Sequence, residues 1–451
     1  MLGIQNLSLV LIFSLTIVNL SSAQFLKLLR NDTQVTNETS VDTTFNYGHD
    51  VVRGVNLGGW LVLEPWITPS LFENVNNSVK YWDEWTLCQT LGEKDAQKVL
   101  RKHWDKFITK NDFRQIKAAG LNHVRIPIGF WAFNIAENEP YVSGQFDYLQ
   151  KAVMWAKEYG IHVMVDLHGV PGSQNGFDNS GHRGQINWAH DPLNLERSRT
   201  VVTMIAEEFS RPVYGDVVKM IQVINEPATF DAASGLNVTD NNGVLRKYYV
   251  DTYNVVSEVR KKKTTYNPKS QYIFTIHDGF NLNSWGDFMR PSEYQDVVLD
   301  HHYYTVFDQN TLDLSLQERI QAVCDTKESL QSANKDFWTI VGEWSPAVTD
   351  CAGDYTSVSG GSNYAGTQQY STKKRDCTGK TGPLNIINDE DKSDFKAMFD
   401  AQRYVFETST SGWIMWTWKT ENVADWSYSA GIEGGWIPQN LDTTSTVPSC
   451  Q

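Results

Sequence analysis

Two glutamates stand where carboxylates could share one reaction. Glu226 lies in Val223-Ile224-Asn225-Glu226-Pro227 and Glu343 in Ile340-Val341-Gly342-Glu343-Trp344. Each follows a short apolar run directly. Cleaving a glycosidic bond needs such a pair, one carboxylic acid to protonate the leaving oxygen and one carboxylate to attack carbon or activate water. A spacing of ~5 Å gives retention through a glycosyl-enzyme, and ~6.5–9.5 Å gives inversion. A lone Glu is usually a solvated or salt-bridged acid, so the weight rests on both acids ending apolar runs. If those runs are staves on opposite sides of a barrel, the two acids face each other across its mouth.

The runs belong to a series. Val51–Leu57, His123–Ile128, His162–Leu167, Met220–Ile224, Tyr272–Ile276, Val297–Asp300, Trp338–Gly342 and Gly412–Trp418 are short, β-branched or aromatic, and suited to strands buried on both faces. Amphipathic stretches of helical period lie between several of them, at Asn111–Ala119, Tyr148–Tyr159, Arg197–Phe209, Leu245–Lys261 and Ser315–Leu330. Eight strands alternating with helices predict an α/β fold, a (β/α)₈ barrel. A doubly wound sheet is disfavoured because no Gly-x-Gly-x-x-Gly follows a strand. Long βα insertions follow the first, third, fourth and seventh strands, on the face where barrel enzymes keep their sites.

Composition narrows the ligand. The 451 residues carry 39 Lys plus Arg against 53 Asp plus Glu, a net charge of −14, so a nucleic-acid backbone is a poor partner. Sixteen Trp, 19 Tyr and 20 Phe suit flat, neutral, partly apolar ligands such as sugars. The apolar run from Leu7 to Leu20 ahead of Ser21-Ser22-Ala23 reads as a secretory signal, residues 1–23, followed by a polar lead over 24–46. Residues 47–451 then form a single catalytic barrel. No other stretch is apolar enough to span a membrane. Sequons at Asn31, Asn37, Asn76 and Asn237 fit a secreted, extracellular glycoprotein. Of five cysteines, Cys324, Cys351, Cys377 and Cys450 fall in the last third, where long loops gain most from a staple, and Cys88 reads as a buried thiol. Spacing alone leaves their connectivity open.

Six stretches in order carry a resemblance: Arg53-Gly-Val-Asn-Leu-Gly-Gly-Trp60, Asn122-His-Val-Arg-Ile-Pro127, Asp166-Leu-His-Gly169, Asn225-Glu-Pro227, His301-His-Tyr-Tyr304 and Gly342-Glu-Trp344. With them the chain resembles glycoside hydrolase family 5 across its mature length, and closely the exo-1,3-β-glucanases of yeasts. The resemblance implies a secreted, retaining, cofactor-free β-glucan hydrolase that acts as a monomer and can also transfer glucose. It implies Glu226 as acid/base, with a high pKa, and Glu343 as ionised nucleophile beside Arg125. Asn225 would bind the sugar 2-hydroxyl, His168 and Glu64 other hydroxyls, and Trp418 would form the platform under the innermost glucose. His302 and Tyr304 share strand parity and would point inward, His302 toward the sugar and Tyr304 toward Glu343. Phe177 and Phe307 would clamp the next sugar, whereas Trp413 and Trp416 would pack the core. The implied disulfides are Cys324–Cys450 and Cys351–Cys377.

Three other readings compete. A zinc site from His168, His277, Asp278 and His301 lacks paired histidines at helical spacing. A non-catalytic wall-glucan-binding protein would not require both acids. An endo-glucanase or mannanase of the same family would differ in loop shape.

Overall fold

In the computed structural model the described residues are 45–73, 83–264, 272–356, 361–368, 371, 374–441 and 450. The expected signal segment and the sequons at Asn31, Asn37 and Asn76 lie outside them. Eight parallel strands close a barrel in sequence order: β1 (Val52–Asn56), β2 (His123–Gly129), β3 (His162–Gly169), β4 (Val218–Gln222), β5 (Ile273–His277), β6 (Val297–Tyr303), β7 (Trp338–Trp344) and β8 (Gly412–Met415). All eight fall on the expected runs. Val, Ile and Leu suit them because helices cover the outer face and neighbouring side chains fill the inner one.

Alternation along each strand stacks the interior in layers. The lowest is apolar, with Val52, Met164, Met220, Ile273, Val298, Ile340 and Ile414, closed beneath by Phe45 and Tyr47. Two residues further along, the same strands present Gly54, Asp166, Gln222, Thr275, Asp300 and Gly342, joined by Arg125 of β2, all buried. A charged middle layer in place of branched aliphatics is the first structural sign that this barrel organises ions at its mouth.

Gly342 makes that layer fit. A Cβ there would come within 2.1 Å of Asp300 Oδ1, while the Gly342 N–H donates to that oxygen at 2.8 Å. The β6–β7 register also slips here, pairing His301 with Val341 but His302 with Glu343. This bulge matters: strict alternation after an inward Gly342 would send Glu343 outward, and the extra residue turns it into the barrel.

Eight longer helices surround the strands: α1 (Glu84–Lys106), α2 (Lys110–Ala118), α3 (Gln145–Tyr159), α4 (Pro192–Phe209), α5 (Val244–Thr264), α6 (Leu316–Asp325), α7 (Lys327–Asp336) and α8 (Asp389–Ser409). Three points depart from expectation, the first being α8, which lies where no helix was expected. The single helix expected over Ser315–Leu330 is two, because Thr326 ends α6 and starts α7. The segment after β1, read as an insertion, contains α1, whose N-cap Asp83 accepts from the Thr86 N–H at 2.7 Å. Cys324–Cys450 and Cys351–Cys377 are both bonded, with Cα separations of 5.0 and 5.6 Å, and Cys88 is a buried free thiol.

Candidate active site

Arg125 is the hub at the strand ends. Its Nη1 donates to Glu343 Oε1 at 2.7 Å and to Asn56 Oδ1 at 2.9 Å. Nε reaches Gln222 Oε1 at 2.8 Å, and Nη2 reaches Asn225 Oδ1 at 2.7 Å and Asp166 Oδ2 at 3.0 Å. A wholly buried guanidinium with every edge occupied costs little of the penalty an unpaired buried charge would bear. It also fixes four strands against one another. The other oxygen of Glu343 accepts from the Tyr304 hydroxyl at 2.9 Å. Burial and Glu343 push Tyr304 well above its usual range, so it stays a donor.

Glu226 follows β4 where pairing has ended, and its φ of +41° is a left-handed conformation that a glutamate seldom adopts. Backbone held in that region is typical of sites whose surroundings dictate geometry. His302 Nδ1 lies 2.7 Å from Glu226 Oε1 and 3.4 Å from Glu343 Oε2, and its Nε2 lies 3.2 Å from Asp300 Oδ2. Two legs of 2.7 and 3.4 Å from one nitrogen allow at most about 6 Å between the carboxylate oxygens, short of the ~6.5–9.5 Å of inverting pairs.

The protonation pattern differs from the expected one. Burial raises Glu226, but the hydrogen bond and charge of His302 outweigh it and hold the carboxyl down to about 2. Burial, reinforced by Glu226, raises Glu343 against the pull of His302 and Arg125. His302 itself, although burial opposes its charge, is lifted well above the usual imidazole range by Glu343 and Asp300. The resting proton therefore sits on His302 between two carboxylates, with Glu226 as its closer hydrogen-bonded partner. Passing that proton from Nδ1 to Oε1 leaves two neutral partners and a loaded acid. It also removes the Glu226 charge that raises Glu343, together with the stronger pull of charged His302, so that Arg125 alone then holds that carboxylate down.

The other expected site residues lie as follows. His302, expected toward the sugar, is buried with both ring nitrogens on carboxylates. Tyr304 does meet Glu343, while His301 turns away to Asp278 at 2.7 Å. His168 donates through Nδ1 to Asp166 at 2.6 Å, and its Nε2 lies 3.4 Å from the Asn225 amide. Glu64 Oε2 accepts from Trp66 Nε1 at 3.1 Å, and burial, then Asp178, raise its pKa well above the ordinary value. Asp178 is lifted to about 6, chiefly by burial. Its neighbour Asn179 donates to Glu226 Oε2 at 3.4 Å. Asn56 and Asp166 stand in the quoted stretches without an expected role, and Gln222, Asp300, Asp178 and Asn179 lie outside every motif. Two-residue parity from the known strand residues would have found the first four.

The two tryptophans after β8 lie differently from expectation. Trp418 is buried among the outer elements, where Nε1 donates to Asp112 at 3.0 Å and the ring stacks on Tyr428. Trp416 instead stacks on His168, with centroids 5.6 Å apart and planes at 16°. Ile414 faces into the barrel, so Trp416 follows it inward; strand pairing ends at Met415, and parity no longer governs Trp418. Trp413 packs on Trp344 as expected. Phe177 and Phe307 are both exposed but sit in different groups. Phe177 stacks on Phe230, which meets Phe280, which meets His277; Phe307 leans on Tyr304 and Trp426.

Among the described residues, Glu226, His277 and His302 could bring ligand atoms within 4.8 Å of one another. His277 Nδ1, however, accepts the Gly279 N–H at 2.9 Å, so Nε2 carries hydrogen and has no lone pair for an ion. This trio is an acid–base cluster, and the His168, His277, Asp278, His301 set does not converge.

A family model for cellulase (glycosyl hydrolase family 5) matches residues 90–373. The chain is similar to a probable glucan 1,3-beta-glucosidase A of Aspergillus niger, 43% identical over 389 residues, covering 85% of this chain and 86% of that protein. It is also similar to a glucan 1,3-beta-glucosidase of Candida oleophila, 39% identical over 418 residues, with 90% and 93% covered. Among solved structures, rutinosidase from Aspergillus niger shares the fold, with a TM-score of 0.63 at 21% identity over 87% of this chain and 99% of that one.

Proposed function

The chain belongs to glycosyl hydrolase family 5, and from that premise we infer that it is a retaining exo-β-1,3-glucanase releasing glucose from chain ends. One observation carries the retaining part: a single His302 nitrogen lies 2.7 Å from one glutamate and 3.4 Å from the other, too close for a water between carboxylates.

Glu343 attacks the anomeric carbon while Glu226 delivers the proton held with His302 to the departing oxygen. Arg125 and the Tyr304 hydroxyl keep the attacking carboxylate ionised and aimed. Glycosylation of Glu343 removes one negative charge, and Glu226, now a base, takes a proton from the incoming water. A sugar hydroxyl entering in place of water gives transfer. Asn225, oriented by Arg125, accepts the role at the 2-hydroxyl, where contact strengthens as charge grows at carbon. Trp416, beside His168, is the platform. Glu64 and Asp178 receive hydroxyls of the terminal glucose, which makes the mouth a pocket rather than a cleft.

The relatives are named for 1,3-linked glucan, which supports that linkage here. Secretion after loss of residues 1–23 is part of the same proposal, supported by two disulfides that need an oxidising compartment. Asn237 is exposed, as a glycan acceptor must be. Digestion of laminarin followed by chromatography and proton NMR tests the whole reading. Glucose alone from the first time point, released as the β-anomer, is the expected result. Early mixed oligosaccharides would convert the reading to an endo-glucanase, an initial α-anomer would remove retention, and no products would leave a glucan-binding protein.

A further inference from the structure

The N-terminus of α1 carries a buried acid that the reaction does not use. Glu84 is 1% exposed and has no cationic partner among the described residues, so burial pushes its carboxyl up to about 7. Such a group is costly to keep. Its three hydrogen bonds explain its presence. Oε1 accepts from Trp131 Nε1 at 2.9 Å and Gln145 Nε2 at 3.1 Å, and Oε2 accepts from the Leu63 N–H at 3.2 Å. Those donors come from three separate places: the segment after β2, the start of α3 and the loop after β1, one residue before Glu64.

The loop after β3 is bound to the same point. Asp83 Oδ2 accepts the Arg183 N–H at 2.6 Å, and the Trp85 N–H donates to Gly181 O at 3.0 Å. The indole held by Glu84 is also the floor of that loop. A Cβ on Gly169 or Gly181 would come within 2.6 or 2.3 Å of the Trp131 ring, so the chain lies flat against it. Residues 83–85 therefore tie together the two loops that bring Glu64 and Asp178 to the mouth.

We propose that Glu84 is a positioning residue that sets the pocket for the terminal sugar, by holding the Glu64 loop and the Asp178 loop at a fixed spacing. This rests on the assignment of those two acids to the terminal glucose. A carboxylate is the side chain for the task because it only accepts, on two oxygens. Glutamine has one acceptor oxygen and must turn its amide N–H₂ toward the Leu63 N–H or toward the Trp131 and Gln145 donors. One tether is then lost while volume is conserved.

The test is steady-state kinetics of full-length Glu84→Gln and Trp131→Phe with laminarin and with an aryl β-glucoside, beside their melting temperatures. Contacts to the terminal sugar act on ground and transition states alike, so their loosening raises KM more than it lowers kcat. Glu84→Gln is expected to raise KM for both substrates about tenfold, with kcat within about threefold, as a small displacement of binding groups would. Trp131→Phe keeps the ring and removes one donor, and raises KM in the same direction by less. It also covers the case in which Glu84→Gln does not fold. Folded variants with wild-type KM, or with kcat reduced at unchanged KM, would overturn the proposal. Because the aryl glucoside needs only the terminal-sugar pocket, the KM shift is readable even if wild-type protein releases mixed oligosaccharides and the exo assignment falls.

Discussion

His302 touches Glu226 through Nδ1 at 2.7 Å and Asp300 through Nε2 at 3.2 Å, so both ring nitrogens face carboxylates and both carry hydrogen. An imidazolium in that position keeps Glu226 ionised yet within one proton transfer of its acid form. The Nδ1 proton is also 3.4 Å from Glu343, which ties the charge of the attacking group to that of the acid.

This arrangement sets the alkaline limb of the pH profile. His302 is raised above its ordinary value, so the couple keeps its proton as pH rises through neutrality and loses it only near the raised value. In His302→Asn the charge that supports ionised Glu226 is gone, and the proton must sit on a carboxyl. The alkaline limb of kcat/KM is expected to move to lower pH, with kcat lowered about 100-fold, in the range of general acid–base contributions. An unchanged limb would show that the proton is not held on this couple.

Glu343→Gln is expected to lose at least about 10⁴-fold in turnover of an aryl β-glucoside, since the proposed attacking carboxylate is replaced by an amide that cannot form the glycosyl-enzyme. Thermal unfolding should stay close to wild type, because the amide oxygen can still accept from Arg125. Near-normal turnover would remove Glu343 as nucleophile.

Glu226→Ala tests the opposite face. With an activated leaving group the glycosyl-enzyme still forms, and added azide takes the space of the missing base. Restored turnover with a β-glycosyl azide is expected, and NMR of the product checks it. An α-azide would contradict double displacement.

Much of this site was legible in the chain, and the limits have physical causes. Glu226, Glu343, Arg125 and the eight strands could be read because barrel strands are short, apolar and regularly interrupted. His302 and Tyr304 followed from parity along a strand that stays paired through Tyr303. Trp418 points outward because alternation, which still turns Trp416 inward one residue past β8, is lost before Trp418. The inward direction of Glu343 was legible only in part, since the bulge at Gly342 is what turns it into the barrel. The high value expected of Glu226 missed the proton on His302, because a charge contributed from the sixth strand has no signature around the fourth. Asp178 and Asn179 come from a loop whose path is set by Trp131 and the start of α1, contacts that no local pattern encodes.

Phe230 offers a last prediction, on an exposed aromatic ridge that leads to His277 and His302. It is 61% exposed and lies between Phe177, stacked at 6.0 Å, and Phe280, met edge-on at 5.6 Å. Phe280 in turn touches His277, whose ring meets His302 at 4.4 Å, so the ridge starts beside the partner of Glu226. Exposed phenyls in a row suit the flat faces of successive β-linked glucose units, each contact contributing about 0.5–1.5 kcal/mol. Phe230→Ala should lower kcat/KM for laminari-oligosaccharides of four or more units about fivefold and leave the aryl β-glucoside unchanged, because the latter does not reach the ridge. Equal losses on both substrates would mean that Phe230 supports the loop rather than the substrate.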